Sequence, residues 1–325
     1  MDRLLSNAGI DVERCFAYGV PQLLGQRQEV LVALDWTDFA ADGQATIALH
    51  WVTAHGRATP LLWKTVDKST LQYHRNDDED ELLQRFKDVL PGGVKVTVLA
   101  DGGFSDHKLF QFLQETLGFG YVIRIRGNPS TALRAGIGVT SATGECRPAA
   151  DWVGVNGRAK TLRDAQVTAE AFTVGTVVCV HAKAMQEPWC LLASDPVALS
   201  RTLINHYAKR WTIEPGFRDT KDLHFGMGLS ATHIKSPQRR DRLLLLNAFA
   251  IVLLTLLGAA GDSLGFDRLL KANTVKRRTH SLFRQGSLLY DLIPNMPASR
   301  LTPLRQRFGE LLLQQPTFNH VFGLV

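Results

Sequence analysis

The sequence predicts an α/β protein, a mixed sheet flanked by helices with a β-rich insertion and a helical C-terminal region, and three features point there. Over residues 29–128 short apolar β runs alternate with helical periodicity in the order β-β-β-α-β-α-β. Over 129–195 the pattern changes to short β runs separated by Gly, Asn and Pro. From Asp195-Pro196 onward the apolar spacing is helical. In sheets of this kind the strand ends present the functional groups.

The segment EVLVALDW (29–36) is rich in β-formers, and GQATIALHWVTA (43–54) follows the turn signal Asp42-Gly43, so the two read as adjacent strands. A third strand is expected near 58–66. In NDDEDELLQRFKDVLP, Leu82, Leu83, Phe86, Val89 and Leu90 repeat at helical spacing until Pro91. The acidic cluster Asp77–Glu81 is therefore expected to open that helix, where carboxylates complement the macrodipole. VKVTVLADGGFSD reads as a strand over 94–100 that ends at Asp101. Ser105 is placed to cap a helix over SDHKLFQFLQETLG, and FGYVIRIRG returns as a strand. AQVTAEAF, TVVCVHAKA and WCLLAS supply the strands of the insertion. Asp195 is expected to cap the next helix with Pro196 in its first position. The apolar run 243–258 falls short of the roughly 20 residues of a membrane helix and is interrupted by Asn247, so it reads as a buried helix and no membrane is expected.

These boundaries divide the chain into a short N-terminal segment (1–28), a first core part (29–128), the insertion (129–195), a second core part (196–258) and a basic C-terminal region (259–325). A chain of 325 residues and 36.0 kDa, 45% hydrophobic and 21% charged, carries a sizeable core and excludes disorder as the main state. Cys15, Cys146, Cys179 and Cys190 lie far apart and form no CxxC pair, so neither a zinc knuckle nor a disulfide framework is suggested, and a reducing cytoplasm fits best. The start, MDRLLSNAGIDVERC, holds no apolar core of signal-peptide length. No Ser sits in a G-x-S-x-G context, so an esterase-type nucleophile elbow is not expected. The net charge of +6 is unevenly placed. Residues 1–195 hold 19 Lys and Arg against 23 Asp and Glu, a balance of −4, while residues 196–325 hold 18 against 8, a balance of +10. Positive charge of that density suits a polyanion, because neutralising phosphates releases condensed counterions.

Tyr207, Arg210, Glu214 and Lys221 are spaced so that a continuous helix would present all four along one stripe. Pro215 predicts a bend near Trp211, with Thr212 capping a fresh helix that tolerates the proline in its first turn. Asp35 and Asp101 each sit where an expected strand ends, so three carboxylates can meet. Hard divalent cations take oxygen ligands from such a set and leave room for phosphates. Two ions about 4 Å apart can serve an in-line phosphoryl displacement. Asp38 and Asp106 are the weaker alternatives, offset from the strand ends. His107 and His206 lack zinc-ligand spacing, and Trp211 is expected to pack in the core rather than stack on a base.

The stripe, with LDWTDF around Asp35, LADGGFSD around Asp101 and RWTIEPGFRDTK around Glu214, resembles the DDE transposases of bacterial insertion sequences. The resemblance is to the branch marked Y-x-x-R-x-x-x-E-x-x-x-x-x-x-K. It spans about residues 29–257. It implies an RNase H-like core interrupted by a β-rich insertion, with Asp35, Asp101 and Glu214 holding two Mg²⁺ ions, Mn²⁺ being the alternative. It further implies cleavage and joining of double-stranded DNA by a homo-oligomer, in the cytoplasm at the nucleoid. Tyr207, Arg210 and Lys221 are the expected phosphate contacts. Lys235, Arg239 and Arg240, then Lys276, Arg277 and Arg278, are expected to extend the DNA track. Family members carry a helical DNA-binding region before the first Asp, and the 28 residues ahead of the core are expected to lack it. The alternative function is a shortened, catalytically silent DNA-binding regulator. A glycosidase with paired carboxylates is disfavoured by the Tyr, Arg and Lys around Glu214.

Overall fold

Ten strands form one mixed sheet in the computed structural model, which describes residues 2–125, 138–167, 171–272 and 274–314. β1 (Glu29–Phe39), β2 (Gln44–Val52) and β3 (Ala58–Asp67) make an antiparallel meander. α3 (Lys68–Val89) then carries the chain over to β4 (Lys95–Ala100), which pairs parallel with β1 on its other side, and β5 (Gly120–Ile125) pairs parallel with β4. The order β3-β2-β1-β4-β5 is the RNase H-like arrangement, so the predicted α/β class holds. Two helices precede the sheet, α1 (Asp2–Leu5) and α2 (Val12–Leu24), the latter capped by Asp11 accepting from the Arg14 N–H.

Within 138–193 lie β6 (Gly138–Thr140), β7 (Cys146–Pro148), β8 (Lys160–Val167), β9 (Phe172–Val180) and β10 (Trp189–Ala193). β10 pairs antiparallel with β5, so the sheet continues through β10-β9-β8-β6-β7 without interruption. Residues 126–137 and 168–170, where the sequence puts the end of FGYVIRIRG, the start of the insertion and part of AQVTAEAF, lie outside the described residues, as do 315–325 at the chain's end.

Strand alternation divides the core by face. Val30, Val32 and Leu34 of β1, with Val96 and Val98 of β4, pack against Phe16 and Val20 of α2, Leu82, Leu83 and Phe86 of α3, and Leu245 of α7 (Pro237–Ser263). Ala33 of β1 and Leu99 of β4 face the other way, onto Leu203, Tyr207 and Ile213 of α5 (Ser200–Lys209) and α6 (Ile213–Lys221). This second face carries the candidate site.

Several helix starts differ from expectation. α3 begins at Lys68, so Asp77–Glu81 lies mid-helix, and Asp78 and Glu79 are buried. Glu79 accepts from the Trp36 indole at 2.8 Å and from Arg75 at 2.9 Å, which is what lets a carboxylate sit there. Asp106, not Ser105, caps α4 (His107–Gln111). Asp195 accepts from the Val197 N–H in a turn, and α5 starts only at Ser200. α7 (Pro237–Ser263) is longer than the apolar run suggested. By length and composition alone it could cross a membrane, but its buried side chains join three apolar clusters of the fold. It is crossed by α8 (Leu282–Leu292) at Gly258 and Gly286, where an added Cβ would fall within 2 Å of the Leu282 or Leu254 carbonyl oxygen. α9 (Ala298–Leu313) closes the described chain.

Candidate active site

The β1–β4 pairing ends at Ala33 opposite Leu99, two residues short of Asp35 and of Asp101. Side chains two apart on a strand share a face, so both aspartates project from the face that carries Ala33 and Leu99, at the same level of neighbouring parallel strands. Asp101 directly follows the end of β4, and its Oδ1 accepts the Gly103 N–H at 2.8 Å. Asp35 is not at a strand end, because β1 runs four residues further to Phe39. What ends there is the parallel pairing.

Glu214 arrives from the covering helices. α5 stops at Lys209, a 3₁₀ turn spans Arg210–Thr212, and α6 begins at Ile213. Pro215 is the third residue of α6, where its missing N–H costs no helical bond. The helix is interrupted by this 3₁₀ turn where the bend was expected, but Thr212 does not cap α6; its hydroxyl donates back to the Lys209 carbonyl at 2.7 Å.

Arg210 ties the pieces together. Its Nη1 donates to Asp35 Oδ2 at 3.0 Å and its Nη2 to Glu214 Oε1 at 2.9 Å. Burial is the largest influence on Asp35 and pushes its carboxyl up to about 6; Arg210 pulls it down, Asp101 and Glu214 push it up again, and the Trp36 N–H opposes them. Asp35 thus senses both other carboxylates, and Arg210 is the cation that offsets their charge most among the described residues. Three hard oxygen-donor side chains on one face suit a divalent cation in chemistry. Among the described residues no three such groups are yet drawn together tightly enough to hold one, and a guanidinium bridges two of the three. Beside this cluster a groove of about 530 Å³ is lined by Asp35, Thr37, Glu214, Arg218, Lys221 and Ser230, among others.

Three expected DNA contacts need correction. Tyr207 is buried to 1% exposure, its ring edge-on to Trp189 at 5.0 Å, so it supports Arg210 from the core and faces no phosphate. Arg210 is itself buried at 5% exposure, with its guanidinium committed to carboxylates. Arg240 is wholly buried and ion-paired to Asp42. Trp211, expected in the core, is instead 49% exposed. Lys221 lines the groove, its ammonium 3.4 Å from the Asp38 carbonyl oxygen and made easier to deprotonate by burial. Lys235 and Lys276, Arg277 and Arg278 are exposed, and Arg239 is half-buried. Of the weaker candidates, Asp38 pairs with Lys68 and Asp106 caps α4, so neither joins the cluster.

Arg218 is a groove residue that the sequence reading missed. It follows Glu214 by four residues and precedes Lys221 by three, the spacing of one helix face, so the signal was present in the periodicity. All four cysteines are free thiols.

Comparison with known proteins identifies a family. Residues 26–253 match the transposase DDE domain family, a span that contains Asp35, Asp101 and Glu214 and covers more than half of the chain. No curated protein matches the chain. The family acts on DNA in transposition and is generally dependent on divalent metal. An RNase H-like sheet with carboxylates at two neighbouring strands and on the helix above them, within a match of that extent, makes the chain a member of the DDE transposase family.

Proposed function

We propose that the chain cleaves DNA strands at the ends of an insertion sequence and joins the freed 3′ ends to a target, as a homo-oligomer assembled on duplex DNA in the nucleoid. It would belong to the branch with the Tyr207, Arg210, Glu214 and Lys221 signature. The observation that carries this reading is the convergence of Asp35 and Asp101, at one level of two parallel strands, beneath the helix bearing Glu214. These three residues would hold Mg²⁺, or Mn²⁺, as a pair of ions, which supply activation of the attacking oxygen and stabilisation of the leaving one. Arg210 offsets the mutual repulsion of the carboxylates and keeps Asp35 and Glu214 in register. Lys221 and Arg218 offer the groove two cations for the phosphates on either side of the reacting one. Lys235, Arg239 and Lys276 to Arg278 would extend the track over the basic half.

A Mg²⁺-dependent nicking assay tests the reading. Asp35→Ala, Asp101→Ala and Glu214→Ala are each expected to abolish nicking and to leave DNA binding within about twofold, since the carboxylates act on the chemical step. Lys221→Ala is expected to weaken binding alike on all sequences and to lower the salt slope by roughly one unit. DNA binding by the wild type with no nicking would instead make it a silent regulator, the reading that Arg210's bridge between Asp35 and Glu214 favours.

A further inference from the structure

Immediately after Lys221 the chain forms a tight loop that exposes three apolar side chains, Leu223 at 63%, Phe225 at 65% and Met227 at 38%. Exposed apolar groups beside a polar groove call for an occupant. The loop is firmly built. Asp222 Oδ1 accepts the N–H groups of both His224 and Phe225 at 2.8 Å, Met227 donates to the Asp219 carbonyl at 2.7 Å, and Gly228 to the Asp222 carbonyl at 3.0 Å. Gly226 lies so close to the backbone of Asp219 that an added Cβ would fall 2.2 Å from its carbonyl oxygen, and Gly228 adopts φ +70°. The loop's far end is held as well, Ser230 Oγ donating to the Lys221 carbonyl at 2.6 Å and Arg240 to the carbonyls of Leu229 and Thr232. Its apolar tip therefore keeps its position.

Charge selects the partner. Arg218 and Lys221 line the groove at the loop's base, and the Arg284 guanidinium lies 5.7 Å from the Phe225 ring centre with Nη1 3.4 Å from the Phe225 carbonyl oxygen. Against these cations stand Asp222, whose Oδ1 is occupied by the loop's own N–H groups, and, on the same groove, Asp35 and Glu214, which Arg210 bridges. An apolar tip with Arg284 against Phe225 and with Arg218 and Lys221 at its base matches duplex DNA, where cations meet phosphates and an apolar side chain enters between base pairs.

We propose that residues 222–228 form a wedge that enters duplex DNA and unstacks a base step next to the groove bearing Asp35 and Glu214. This rests on the DNA-cleaving reading of that groove. The wedge follows directly on Lys221, which with Arg218 lines that groove.

The test compares binding of a labelled, fully paired duplex with binding of the same duplex carrying a short central mismatch bubble, by fluorescence anisotropy in EDTA. If the wedge must open a base step, the wild type prefers the bubble by roughly tenfold, because part of an unstacking cost of a few kcal/mol is already met. The Leu223→Ala/Phe225→Ala double variant is expected to lose that preference to within about twofold while keeping its thermal midpoint, as both side chains are exposed, and Phe225→Trp is expected to retain it. 2-Aminopurine placed in the paired duplex should brighten with wild type and with Phe225→Trp, and not with the double variant. An equal or absent preference in wild type and double variant overturns the wedge and leaves the transposase reading standing. A double variant that changes the protein's mass in solution instead of its base unstacking makes the tip a contact with a second copy, which also overturns it. Absence of any DNA binding removes both readings together.

Discussion

Two buried arginines, Arg210 and Arg240, occupy different regions and do different work. Arg240, on α7, donates to Asp42, to the Gln44 side chain, to the carbonyls of Leu229 and Thr232 and to the Thr232 hydroxyl, and its guanidinium lies 4.2 Å from the Phe39 ring centre. Those neighbours are themselves fixed parts of the sheet and the 229–232 turn. Arg210 meets two carboxylates and the Tyr207 hydroxyl; its Nε has no hydrogen-bond partner among the described residues, and the side chain of Glu214 is 42% exposed on the groove. A charge enclosed by many fixed dipoles is a fastener. A charge balanced against one largely buried carboxylate and one that opens on the groove is a counter-ion, and its place can be shared with other cations.

The sharpest way to break the comparison is Arg240→Met. It leaves Asp42 and several carbonyls without partners and is expected to cost about 3–5 kcal/mol, read as a lower urea midpoint. A loss under about 1 kcal/mol would place Arg240 in the same class as Arg210. Asp241 offers the case of a buried charge with a hydrogen bond but poor ionic compensation. Its Oδ1 accepts the Thr65 N–H at 3.0 Å, and burial pushes its carboxyl up to about 7. From about pH 4 to 7 the folded chain keeps a proton that the unfolded chain has released, so stability falls as pH rises through that window. Asp241→Asn keeps an acceptor for Thr65 and removes the charge. It is expected to stabilise the chain by on the order of 2 kcal/mol at pH 8 and by almost nothing below pH 4, measured as thermal midpoints across pH. Arg210→Gln should cost only about 1 kcal/mol of stability, since Glu214 can turn to solvent and Asp35 can take up a proton, yet it should depress nicking at least tenfold. The smallest folding effect belongs to the triple change of Lys276, Arg277 and Arg278 to Gln, under about 0.5 kcal/mol. Its signature is a shallower salt dependence of DNA binding, and an unchanged slope would remove that stretch from the proposed track.

Strands β1 to β5 were legible because short apolar runs rich in β-formers and the Asp42-Gly43 turn carry their own signal. The start of α3 is nine residues ahead of its expected opening at Asp77, because its first turns, from Lys68 to Asn76, carry no apolar periodicity. Asp35, Asp101 and Glu214 could be selected from residue type and position. The burial of Arg240 could not, since its carboxylate partner is 198 residues away and a charge count is blind to pairing. Tyr207 illustrates the same limit: its spacing placed it on the stripe, but its ring turned inward to Trp189 of β10.

The continuity of the sheet across β5 and β10 also bears on what can be cut from this chain. Cys190 to Ala193 pair with Ile125 to Val122, covering the outer side of β5. Without that cover, Tyr121, Val122, Ile123 and Ile125 would line an unsealed apolar margin with free N–H and C=O groups, the template on which copies of a chain aggregate. The strands inserted before Glu214 therefore act as a seal and are not a removable ornament. The opposite rim of that extension, β7, is only three exposed residues long and ends in Pro148, which makes it a poor template. Fusion partners or added segments are better tolerated there than any trimming between β5 and β10.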